Sequence, residues 1–185
     1  MNKLFLSLVL SVSFTNPSET ITNQSAAPII APVVDTTPSY KLYIADNVPA
    51  WMKPIIIKAV ANATPAHLDS ILVKVGDNCC GLGKNEFDGN RSTISIAPGI
   101  SNSNVLIHVL GHELGHADED VNNLSQYQQE LAADAWGIMT VIDLGGNPRD
   151  VVDYYRKRNL PEGSKHPSDS YRADAMEKII ANYKK

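Results

Sequence analysis

Two histidines four residues apart close the run His112-Glu113-Leu114-Gly115-His116, and no other feature of the chain restricts its fold as much. A spacing of four stacks both rings on one face of an α-helix, where two imidazole nitrogens can reach a single ion. Helical backbone is therefore predicted through the pentad. Glu113 lies one residue on and about 100° around the axis, so it can reach a water on that ion rather than the ion itself.

A catalytic metal needs a third protein donor and an open position. In the longer motif that supplies a third histidine, that residue falls six positions after His116 and follows a glycine. Asn122 and Glu119 stand at those places, which excludes the class. Glu130, in the run Glu130-Leu131-Ala132-Ala133-Asp134, is the third donor expected, on a second helix folding back across residues 118 to 124. Asp134 lies one turn further on the same face, suited to accept the outward N–H of a ligand histidine. Asp118, Glu119 and Asp120 read as a solvated acidic loop. His108 reads as a packed or cleft-wall histidine, because three histidines along one straight helix cannot all point at one ion.

With 185 residues, 43% hydrophobic and 19% charged, the chain suits one folded domain and is too apolar for disorder. A formal charge of −4 offers phosphates no net attraction, so nucleic acid is not an expected partner. Cys79 and Cys80 are adjacent and cannot staple distant segments, and their role stays open. Stability is left to packing or to a metal.

Residues 1–14, MNKLFLSLVLSVSF, carry one lysine before an apolar run too short to span a bilayer comfortably, the pattern of a secretory signal. Cleavage is expected near Ser13 or as late as Ala27, giving an exported, periplasmic or secreted protein with no stable membrane span in its mature form. Residues 15–39 recur in Thr, Ser, Asn and Pro and read as a tether. The folded domain is expected over 40–185.

Strands are predicted at Tyr40–Ala45, Ser70–Val75 and Ser92–Ala97, with a glycine-rich loop between the last two. A helix is predicted over Pro49–Ala63, interrupted or bent around Pro54, then helices over Asn104–Ala117 and Ser125–Leu144. A Gly-Gly-Asn-Pro turn at 145–148 and two more helical stretches follow. The order implies an α+β domain: a small N-terminal sheet, a helix carrying the metal motif, and C-terminal helices.

The ordered set HELGH, ELAADAWG, GGNP and His166-Pro167, with Arg172 six residues after that histidine, resembles the zinc metallopeptidases related to the heat-shock protease HtpX and the CAAX prenyl endopeptidase. The likeness spans roughly Ile94 to Ala181 and lacks the membrane helices of those branches. It implies a single zincin-like domain of the minigluzincin type. It also implies one zinc per chain on His112, His116 and Glu130, Glu113 as general base, and Asp134 and Arg172 organising the ligands. His166 would stand near the metal as an oxyanion-stabilising group or a cap on the open position.

The expected reaction is hydrolysis of a peptide bond by metal-activated water, with Glu113 taking the proton. A protein or peptide substrate is expected to bind extended along the strand at 92–97, added to its edge. The chain lacks the Gly-x-Met-Glu-Asn element with which related aminopeptidases hold a free amine, which favours an endopeptidase. A capped zinc-binding module without turnover, and a zinc hydrolase of cell-wall peptide amides, are the alternatives.

Overall fold

The computed structural model describes residues 40–76, 81–163 and 166–183. The expected signal segment, the tether, and Cys79 and Cys80 lie outside the described residues. The elements run β1 (Lys41–Ile44), α1 (Lys53–Ala63), β2 (Ser70–Val75), β3 (Gly83–Asp88), β4 (Arg91–Ile96), α2 (Ser103–Gly115), α3 (Glu119–Asn122), α4 (Gln126–Asp143), α5 (Pro148–Arg158) and α6 (Asp169–Tyr183). This is an α+β chain, with a four-stranded mixed sheet followed by helices packed together.

The sheet order is β1-β2-β4-β3, with β1, β2 and β4 parallel and β3 antiparallel to β4. Ile71 and Val73 of β2 and Ile94 and Ile96 of β4 are fully buried, together with Ile56 and Val60 of α1 and Leu106, Leu110 and Leu114 of α2. Period-2 burial in the strands and two apolar helix faces thus close one core.

Four expectations need correction. Pro54 does not bend α1 but sits in its first turn, where the missing N–H has no helical partner to lose. The glycine-rich segment contains strand β3, whose residues alternate Gly83, Asn85 and Phe87 on one face with Lys84, Glu86 and Asp88 on the other. Gly89, at φ +58°, opens the two-residue turn to β4, the conformation a tight hairpin asks of glycine. As a result the strand expected to offer a free edge, residues 92–97, is flanked by β2 and β3 along its length. Among the described residues the outer strands of the sheet are β1 and β3. The acidic segment after His116 also forms one helical turn, α3, capped by the Asp118 side chain on Asp120 N at 3.0 Å.

Side chains set the remaining helix ends. Asn102 caps α2 by accepting from Asn104 N and Val105 N. Ser125 and Gln128 form a capping box at the start of α4. Asn147 caps α5, and Asn159 ends it in the left-handed conformation. Helices α2 and α4 approach at backbone distance: a Cβ on Gly111 would stand 2.9 Å from Gly137 Cα, and one on Gly115 would stand 3.1 Å from Ala133 Cα. That approach brings the Glu130 side of α4 against the histidine face of α2. Among the described residues no helix is long and apolar enough to cross a membrane.

Candidate metal centre

Helix α2 is buried on every side from Val105 to Gly115, yet it carries His108, His112 and Glu113. Buried polar groups must find partners, and for His108 and His112 those come from α4, α5 and α6. His112 Nδ1 faces Asp134 Oδ1 at 3.0 Å, which makes Nδ1 the protonated nitrogen and turns the Nε2 lone pair toward His116 and Glu130. His108 Nε2 lies 3.3 Å from the Tyr155 hydroxyl and 3.5 Å from Asp134 Oδ1.

The three expected donors come together. His112 Nε2 and His116 Nε2 are 3.1 Å apart, His116 Nε2 is 3.4 Å from Glu130 Oε1, and His112 Nε2 is 3.7 Å from Glu130 Oε2. A tetrahedral ion with arms of 2.0–2.2 Å separates its ligand atoms by about 3.3–3.6 Å, and the three measured edges bracket that spacing. Glu130 Oε2 is buried without a hydrogen bond of acceptable geometry, an orphaned acceptor that a cation would satisfy. His112, His116 and Glu130 can therefore hold a metal ion.

A second set, His108, His112 and Asp134, also lies within ligand distance. Both Asp134 oxygens are already taken by Arg172, with Nε to Oδ2 at 2.7 Å and an outer guanidinium nitrogen to Oδ1 at 2.6 Å. A cation there would have to displace the guanidinium or share a carboxylate with it. The His112, His116 and Glu130 set is the better site.

The electrostatics follow from burial and this pairing. Burial pushes His112 down to about 4 despite the Asp134 carboxylate, so the ring is neutral at pH 7, as a ligand must be. Burial disfavours ionisation of Glu130, but His116 and His166 outweigh it and hold the carboxyl well below the usual range. Asp134 is likewise held ionised against its burial by Arg172. Glu113 is the exception: burial pushes it up to about 7, even though His116 lowers it.

His166 lies in the loop between α5 and α6 and is half exposed, with Nδ1 2.9 Å from Glu130 Oε2. The distance is that of an ion pair. It stands outside the group formed by His112, His116 and Glu130. Arg172 is buried on α6 and stacks its guanidinium 4.8 Å from the Tyr155 ring centre. No protein-family model, curated protein or solved structure matches the chain.

Tyr155, Gly83 and Asn85 also shape the centre, and none was singled out from sequence. For Tyr155 there was no signal, since it is one of two adjacent tyrosines on α5. For Gly83 and Asn85 the signal was the charged and uncharged alternation of residues 83–88, which a glycine-rich context obscured.

Proposed function

We propose that the chain is a zinc-dependent endopeptidase with a zincin-like, minigluzincin-type domain, exported as residues 1–14 suggest. One observation carries this reading. A buried carboxyl, Glu113, directly follows His112 on α2 beside the His112, His116 and Glu130 group, and a purely structural metal site has no use for such a group.

His112, His116 and Glu130 would hold the ion, and two histidines with one carboxylate suit zinc. Bound zinc would supply an acidified water and a Lewis acid for the scissile carbonyl. Asp134 fixes the His112 tautomer through Nδ1, and Arg172 keeps Asp134 ionised and in place. Glu113 would accept a proton from the attacking water and return it to the leaving amine. His166, beside Glu130, is the donor available to a developing oxyanion. Strand β3, the outer strand beside β4 among the described residues, runs past Glu113 and would be the strand for an extended peptide to pair with.

The test is cleavage of unfolded protein and of internally quenched peptides by the purified chain, before and after chelator treatment and zinc restoration. Cleavage within peptides that is lost to chelator and regained with zinc is expected. Stoichiometric zinc binding with no turnover would leave a binding module instead.

A further inference from the structure

Strand β3 meets helix α2 at the residue proposed as the base. An ideal Cβ on Gly83 would stand 2.6 Å from Glu113 Oε1, 3.0 Å from Glu113 Cγ and 2.8 Å from Val109 Cγ1. The carboxyl therefore occupies space that any other residue at 83 would fill. Gly83 has little freedom to withdraw, because it pairs with Ile96 of β4 and Ala97 N binds Leu82 O at 2.8 Å.

Two residues along the same face, Asn85 Nδ2 donates to the Glu113 backbone carbonyl at 2.6 Å. That carbonyl needs an outside donor because α2 ends there: Ala117 N turns to Leu114 O at 3.0 Å, and the last turn tightens. The Asn85 amide is itself oriented, since its Oδ1 accepts from Ser92 Oγ at 2.8 Å and Ser92 is buried on β4. The sheet thus reaches the main chain of Glu113 through one side chain and makes room for its carboxyl by omitting another.

We propose that β3 positions the Glu113 carboxyl, Gly83 by leaving the space that Oε1 occupies and Asn85 by holding the Glu113 carbonyl. Both are positioning residues, and the inference rests on Glu113 being the base. The consequence is mechanical: an outer strand of the sheet and the base form one unit, so a shift of β3 would move the group that acts on the substrate.

The experiment compares Gly83→Ala, Asn85→Ala and Glu113→Gln with wild type in the full chain. Zinc content, kcat and KM on a quenched peptide, and the Glu113 side-chain carboxyl resonance of metal-free 13C-labelled protein are measured, with Glu113→Gln assigning the resonance. Gly83→Ala should keep stoichiometric zinc, move the resonance, and lower kcat about 10- to 100-fold with KM within about threefold, the loss expected for a misplaced reacting group. Asn85→Ala should act in the same direction, with faster amide exchange in the last turn of α2. If Gly83→Ala does not fold, Asn85→Ala decides.

An unmoved resonance with wild-type kcat in a folded variant overturns the proposal. Failure of the peptidase reading looks different: wild type and Glu113→Gln would then be equally inactive, while the resonance of the metal-free protein would still decide whether Gly83 and Asn85 place the carboxyl.

Discussion

Arg172 grips Asp134 with two hydrogen bonds of 2.7 and 2.6 Å, joining α6 to α4 directly behind the histidine ligand face. Both residues are buried, and the pair is what allows an ionised carboxylate to sit in the core against His112. Removing one partner leaves the other as an uncompensated buried charge.

Arg172→Ala should therefore destabilise the fold by about 3–5 kcal/mol, read from denaturant unfolding of the metal-free protein. Arg172→Lys should recover only part of this, because an ammonium cannot reproduce the two-pronged contact. Asp134→Asn keeps the volume and weakens the acceptor for His112 Nδ1, so zinc affinity should fall about 10- to 100-fold in competition with a chelating dye. Unchanged affinity would detach Asp134 from the metal centre.

Alanine at His112, His116 or Glu130 should abolish stoichiometric zinc. Each ligand lost leaves two donors, too few to hold the ion against dialysis. Zinc at 100 times its dissociation constant should stabilise the wild type by about 2.7 kcal/mol, and none of the three variants should show that shift in thermal unfolding. Full zinc occupancy in all three, by elemental analysis, would sink the ligand set.

Glu113→Gln should keep zinc and the same zinc-dependent thermal shift while losing turnover, since an amide of equal size cannot accept the proton. Single-turnover assays with excess enzyme measure the residual rate. Turnover near wild type would place the base elsewhere.

His166→Ala should lower kcat by about 10² to 10³ with zinc content unchanged, the loss expected for one preorganised donor. Its place beside Glu130 Oε2 allows another outcome, loss of zinc together with activity, which would assign His166 to holding Glu130 instead. Higher activity would mean that the side chain caps the site.

The local features were legible in the residues themselves. The four-residue spacing of His112 and His116 requires one helix face, Ser125 and Gln128 announce the start of α4, and Gly145 to Pro148 breaks the chain before α5. The Glu130 to Asp134 spacing likewise puts both carboxylates on one side of α4, Glu130 toward His116 and Asp134 against His112, because helical periodicity is a property of the chain alone.

The pairing of distant segments was decided by tertiary structure. Residues 83–88 become a strand because β4 offers them a partner in register, an energy that no local propensity of GKNEFD contains. That pairing puts β4 inside the sheet and makes β3 the outer strand among the described residues. The close crossing of α2 and α4 at Gly111 and Gly115 brings Glu130 to the histidines, and α5 and α6 add Tyr155 and Arg172 behind them. What the sequence by itself determined is which side chains share a helix face. Which faces meet depended on how the core closed, since burying His108, His112 and Glu113 required partners that only the assembled helices and sheet could bring within hydrogen-bonding reach.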